Sequence, residues 1–286
     1  MQNLQGTFNG LAFGPGEDVG LISIEGLRGF ASVRGGDTSR PRRYGSDPGF
    51  NELDEKQFTV TFQIAAPKQP FATVVNSMAA ALQNIESPTG ELPFEWFTTG
   101  WASPRLVNCR PTSVTLPVDD KYQYQNVQIP VQFTASDPLV YDSVLSTAGP
   151  VGLPSPTAGL TFPVSFPVTF GASTGGSLLL TNLGEETTYP VFTITGPCTN
   201  PRLQLDDTGP GFQCNITLAA TDTLVIDMQN HLVTLNGTAD RENTKTTGSA
   251  WFGIPPGTTS VAVGSSDSAQ VTAQFTATWR SAWGFA

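Results

Sequence analysis

Val271-Thr272-Ala273-Gln274-Phe275-Thr276-Ala277-Thr278-Trp279-Arg280 alternates without a break. Val271, Ala273, Phe275, Ala277 and Trp279 face one way, and Thr272, Gln274, Thr276, Thr278 and Arg280 the other. A period of two over ten residues belongs to a strand with one buried face. Working back from it, short runs recur at Leu178–Leu180, Val191–Ile194, Arg202–Leu205, Phe212–Leu218, Leu224–Ile226, Leu232–Leu235, Trp251–Ile254 and Val261–Val263. Gly, Pro and Asn separate them, and Asn236-Gly237 is a strong hairpin turn signal. Short strands at regular spacing predict an antiparallel β-sandwich of jelly-roll type.

The first half is also β-rich. Val19–Ile24 reads as a strand, and Phe58, Val60, Phe62 and Ile64 alternate cleanly. Strands are expected again at Leu106–Arg110 and Val114–Val118, with a turn near Asp119-Asp120. Val127, Ile129, Val131 and Phe133 alternate around Pro130, which belongs on an edge or a bulge because it cannot donate to a ladder. One helix is expected: Phe71, Val74, Val75, Met78, Leu82 and Ile85 lie on one helical face, between Pro70 and Pro88. Residues 146–176 are rich in Pro and Gly. The expected division is therefore 1–145, a linker and domain start at 146–176, and a sandwich at 177–286.

The 286 residues hold 29 Gly, 23 Pro and only 13% charged residues, with a net charge of −10. Residues 1–150 carry 10 basic and 15 acidic side chains, and residues 151–286 carry 4 and 9, so each part is at −5. Such a chain is poorly suited to gripping a phosphate backbone. Solubility is the plain reading of the charge; an acidic channel along which DNA slides is the sharper one. Met1–Gly6 lacks the basic start and apolar run of a secretion signal, and folding in the cytoplasm is expected. No apolar stretch is long enough to serve as a membrane anchor.

The search for catalytic chemistry yields little. His231 is the single histidine, and general acid–base and metal sites commonly recruit histidines in groups. Asp207-Thr208-Gly209 matches an aspartic-protease triplet, but its nearest counterpart is Asp267-Ser268-Ala269 and the tract reads as a turn. Asp119-Asp120, Glu185-Glu186 and Asp206-Asp207 read as solvated pairs rather than calcium ligands. Cys109, Cys198 and Cys214 read as reduced, buried thiols; a turn at Asp206–Gly211 pairs Leu205 with Phe212 and leaves Cys198 out of reach of Cys214. No catalytic residue, metal or cofactor is expected. Arg34, Arg40, Arg42 and Arg43, with Tyr44 beside them, form the one basic cluster, and they are the candidate interface with a neighbouring copy.

The ordered set of tracts resembles the distal tail (Dit) proteins of long-tailed, non-contractile bacteriophages, in their actinobacterial-phage branch. The tracts include Arg42-Arg43-Tyr44-Gly45-Ser46-Asp47, Cys109-Arg110-Pro111, Val131-Gln132-Phe133-Thr134-Ala135-Ser136-Asp137-Pro138, Thr181-Asn182-Leu183-Gly184, Tyr189-Pro190-Val191-Phe192, Ser249-Ala250-Trp251-Phe252 and Trp279-Arg280-Ser281-Ala282-Trp283. The resemblance implies a mainly β chain: a tail-tube-like split β-barrel or sheet with one α-helix, then a galectin-like antiparallel β-sandwich. It implies a ring hub, usually of six copies, at the distal end of the tail in the virion. Its partners would be further copies, the tail tube protein, the tape-measure protein, and the tail-tip and receptor-binding proteins, with DNA only in transit and assembly in the host cytoplasm. A competing reading is a host-glycan-binding module on the sandwich, with Trp283 as the freer aromatic, since Trp251 and Trp279 read as core. A wall hydrolase lacks the paired carboxylates or metal ligands it needs.

Overall fold

The computed structural model describes residues 4–29, 31–65, 67–83, 90–154, 176–206, 208–267 and 272–284. The chain forms two compact units, Met1–Val144 with Trp283–Ala286, and Leu145–Ala282. Most of the stretch read as linker, 155–175, lies outside the described residues.

The elements of the first unit run β1 (Gln5–Phe8), β2 (Leu11–Phe13), β3 (Val19–Glu25), β4 (Val33–Gly35), β5 (Thr38–Ser39), β6 (Ser46–Asp47), β7 (Asn51–Leu53), β8 (Lys56–Ala65), α1 (Phe71–Gln83), β9 (Leu92–Phe97), β10 (Arg105–Val114), α2 (Asp120–Gln123), β11 (Asn126–Ala135) and β12 (Val140–Asp142). The main sheet has the order β2-β1-β9-β10-β11-β8-β3. It is split along β10, whose residues Arg105–Cys109 pair with β9 while Arg110–Val114 pair with β11, across a bulge between Pro111 and Ser113. A proline that cannot donate to a ladder is tolerated at such a bulge. The strand expected at 106–110 thus runs on to Val114, and 115–118, expected to continue a second strand, lie outside any strand.

Phe58, Val60, Phe62 and Ile64 of β8 and Val127, Ile129, Val131 and Phe133 of β11 are buried together, with Phe8, Phe13, Phe94 and Trp96. Val74, Met78 and Leu82 of α1 close this core. Ile85 lies outside the described residues. Gly6 is fixed by crowding: a Cβ there would collide with the Glu95 carbonyl and the Phe13 ring.

Pro130 lies inside β11, opposite Thr61 of β8. Its carbonyl accepts from the Thr115 N–H at 3.3 Å. Within one strand residue the N and O point to the same neighbour. The missing donor therefore faces β10 just past Val114, where that ladder ends. The turn expected at Asp119-Asp120 is in fact the start of α2, a single turn whose first amides are capped by the Asp119 carboxylate, accepting from Tyr122 N–H at 3.2 Å.

The second unit contains β13 (Ser146–Gly152), β14 (Ser177–Asn182), β15 (Val191–Thr195), β16 (Cys198–Thr199), β17 (Arg202–Leu205), β18 (Gly211–Gln213), β19 (Thr217–Leu218), β20 (Thr223–Asp227), β21 (Leu232–Leu235), β22 (Ala239–Asp240), β23 (Gly257–Gly264) and β24 (Gln274–Trp279); β25 (Ala282–Trp283) ends the chain's strands. Two sheets, β13-β24-β15-β20-β21-β22 and β14-β23-β17-β18, enclose the core. Phe275, Ala277 and Trp279 of β24 face inward, as their alternation requires. Asn236 and Gly237 both take positive φ, 53° and 76°, between the paired β21 and β22.

One register differs from expectation. Phe212 lies opposite Leu203, not Leu205. The loop after β17 folds back on Leu205, whose carbonyl accepts from Gly209 N–H and whose N–H donates to Pro210 O. The hairpin is two residues longer at its tip, and a shift of two keeps the same side chains on the core face. All three cysteines are free and buried. Trp251–Ile254, expected as a strand, forms only a bridge from Ile254 to Thr188, because Pro255-Pro256 follows at once.

Candidate interaction surface

Residues 31–55 do not form an open loop. β4 pairs with β7 (Val33↔Leu53, Arg34↔Glu52) and, farther out, β5 pairs with β6 (Thr38↔Asp47, Ser39↔Ser46). The result is a two-stranded arm whose strands stand apart from the main sheet. Two charge pairs lace it: Arg34 to Glu52 at 2.8 Å and Arg40 to Asp47 at 2.7 Å. The Glu52 hydrogen bond and charge raise the Arg34 guanidinium above its ordinary value. The Asp37 carboxylate accepts from Gly49 N–H at 3.1 Å.

At the tip, Arg40 N–H donates to Gly45 O, and Arg42 and Gly45 take positive φ. The turn throws Arg42, Arg43 and Tyr44 outward, and Tyr44 is 102% exposed. Of the five candidate residues, Arg34 and Arg40 are committed to the arm itself. Arg42, Arg43 and Tyr44 make no hydrogen bond, ion pair or ring contact among the described residues. Phe50, 95% exposed, adds an apolar side chain to the same arm. An isolated two-stranded ribbon is marginal in water, and exposed aromatics beside unpaired arginines are the composition of a binding surface.

The main sheet offers a second interaction feature. Beyond Cys109, β10 pairs only with β11, and β3 pairs only with β8. The half-sheet β10-β11-β8-β3 therefore ends in two strand edges that carry no ladder among the described residues. On the face away from the core, its two central strands present the uncharged Gln57, Thr59, Thr61 and Gln63 of β8 with Gln128 and Gln132 of β11, while Glu25 of β3 and Arg110 of β10 lie at the margins.

Trp283 groups with the first unit. Its ring carries the Arg105 guanidinium at 4.0 Å, which also lies 4.4 Å from the Trp101 ring. Trp279 is buried and its indole N–H donates to Thr181 O at 3.0 Å. Trp251 packs on Phe212, and exposed His231 stacks on it at 4.8 Å. Asp207 and Ser268, of the two protease-like triplets, lie outside the described residues. Among the described residues no group of three or more His, Cys, Asp or Glu is placed to hold a metal ion, and no helix is long and apolar enough to cross a membrane.

Comparison with known proteins extends this geometry. The family model of the siphovirus-type tail component, C-terminal domain, matches residues 183–279. The crystal structure of Dit from phage SPP1, a paradigm of the hub adsorption apparatus in phages that infect Gram-positive bacteria, is similar over 98% of this chain and 99% of its own, with a TM-score of 0.65 at 12% identity. A chain of the phage P2 baseplate, in its activated conformation with calcium, is similar over 92% of this chain and 91% of its own, with a TM-score of 0.52 at 12% identity. No curated protein matches the sequence. Residues 183–279 thus match the siphovirus-type tail component C-terminal domain, and over 98% of its length the chain has a fold similar to that of SPP1 Dit.

Proposed function

We propose that this chain is a non-catalytic virion protein that closes a ring at the distal end of a phage tail. It joins the tail tube to the tip and receptor-binding proteins and surrounds the channel for the tape-measure protein and DNA. The observation that carries this reading is the arm, a ribbon held in shape by its own ion pairs with Arg42, Arg43 and Tyr44 left bare at its end. In a chain of net charge −10, a basic tip is complementary to the rest of another copy, which favours self-association.

Two open edges on one half-sheet support a ring rather than a dimer. Joining the β3 edge of one copy to the β10 edge of the next is a head-to-tail contact, and such contacts close into rings when the rotation permits. The uncharged outer face of β8 and β11 would then line the channel. The β8 and β11 side chains of such a wall include no lysine or arginine to hold phosphates, and Lys121, beside Thr61 and Gln128, lies with Asp119, so DNA passes without sticking. The sandwich unit faces outward as the adaptor for other tip proteins. The virion tail is the site of action, and assembly takes place in the host cytoplasm.

The variant Arg42→Glu/Arg43→Glu/Tyr44→Ala tests the interface. These side chains make no hydrogen bond, ion pair or ring contact among the described residues of their own chain, so the monomer keeps its thermal stability. Sedimentation velocity across a concentration series should show self-association weakened at least tenfold. Association equal to that of the parent chain removes the arm tip from the interface.

A further inference from the structure

The first unit is not continuous in sequence: Trp283–Ala286 belong to it, although the whole of the second unit, Leu145–Ala282, intervenes. Three ties hold this short end. Trp283 carries Arg105, which sits between it and Trp101, and Trp101 in turn packs at 5.5 Å on the core residue Trp96. β25 pairs with β12, which itself pairs with β10 through Arg105↔Asp142 and Leu106↔Tyr141. Gly284 is buried, and its carbonyl accepts from the Lys56 ammonium at 3.4 Å.

Lys56 is the unusual member. It stands at the start of β8 opposite Ala135, only 1% exposed. Its other carbonyl partner is Leu27 O, at 3.3 Å. Burial lowers its pKa from the ordinary lysine value, with the Asp137 carboxylate opposing the shift. A buried ammonium needs every acceptor it has. Without residue 284 it keeps one of its two carbonyls, at the place where β8 and β11 begin and end.

We infer that Trp283-Gly284 is a closing strap for the first unit. That unit reaches its final packing only after the chain has been made through Gly284, sandwich included. A long insert between two joined ends costs little extra closure entropy, so the arrangement is tolerated energetically. Its consequence rests on the hub reading: a chain cut short anywhere before Trp283 cannot enter the ring, and incomplete subunits are excluded from the tail.

Hydrogen–deuterium exchange of the full chain, compared with a chain ending at Ala282, tests the strap itself. Amides of β8 and β11 should exchange more than tenfold faster in the shortened chain, while those of β20 and β24 stay unchanged. If the shortened chain proves insoluble, Trp283→Ala should show the same selective loss and Trp283→Phe should restore protection. Unchanged exchange in β8 and β11, or equal acceleration in both units, overturns the inference. Ring formation is read separately by electron microscopy. A strap variant that loses protection yet still enters rings overturns the exclusion of incomplete subunits but leaves the hub reading intact. Full protection in a parent chain that forms no rings counts against the hub and not the strap.

Discussion

Replacing Phe94 by alanine should unfold one unit and spare the other. Phe94 is fully buried in β9. Five rings surround it: Phe13 at 5.2 Å, Phe133 at 5.5 Å, Phe58 at 5.7 Å, Trp96 at 5.9 Å and Phe8 at 6.2 Å. These neighbours come from four other strands, β1, β2, β8 and β11, and from β9 itself, so little can collapse into the gap. Phe→Ala in a core costs about 3–5 kcal/mol, and aromatic pairs add roughly 0.5–1.5 kcal/mol each beyond burial. The upper end of that range is the expectation here, against a total of about 5–15 kcal/mol for a domain. At roughly 2–4 °C per kcal/mol for a unit of this size, the melting temperature of the first unit should fall by roughly 10–20 °C. Scanning calorimetry would show one transition displaced and the sandwich transition in place, because none of these rings belongs to its core. Phe94→Leu, which keeps most of the volume, should cost about 1.5 kcal/mol or less. A common shift of both transitions would refute the division into units. A shift below about 2 °C would refute the packing argument.

Burial holds the thiols of Cys109, Cys198 and Cys214 above their ordinary pKa. None should react with a thiol reagent at neutral pH until the chain is unfolded, whereupon all three should react. Because the folded pKa values are raised, their contribution to stability is complete below the ordinary thiol range of about 8.5 and declines as pH rises above it; chemical unfolding at pH 7 and pH 10 measures the difference. Asp222 behaves oppositely. Bonds from Asn236 and the Ala219 N–H lower its pKa, so its contribution is present above the ordinary carboxylate range and lost as pH falls below it. Asn236→Ala removes that partner and, at φ 53°, the polar side chain whose local hydrogen bonds make the left-handed conformation tolerable, at a cost of about 1–2 kcal/mol, seen as an early transition of the sandwich alone. Thr61→Lys with Gln128→Lys, on the uncharged face, should leave folding and ring formation intact and slow DNA release from reconstituted particles.

How much of this could be read from the sequence depended on whether a residue's surroundings were local. Phe58–Ile64 and Phe275–Trp279 declared their buried faces through a period of two, and Val74, Met78 and Leu82 declared the helix. The arm did not announce itself, because Thr38–Asp47 has no core to face and hence no alternation; only its arginines marked it. The register at Phe212 was missed because the loop after Leu205 closes on backbone atoms, which sequence pattern does not record. The return of the chain end was equally hidden, since Ala282-Trp283 is too short for any period and its partners, Arg105 and Lys56, lie far away in the chain. Trp283, the freer aromatic on sequence grounds, therefore lies against Arg105 in the first unit.

Negative-stain electron microscopy of the purified 286-residue chain, at concentrations raised into the range where a hub would assemble, tests the central claim most directly. Closed rings of uniform copy number with a central hole, dissolved by charge reversal at Arg42 and Arg43, are the predicted result. A chain that stays monomeric there, alone and with its tail tube protein present, would contradict the account.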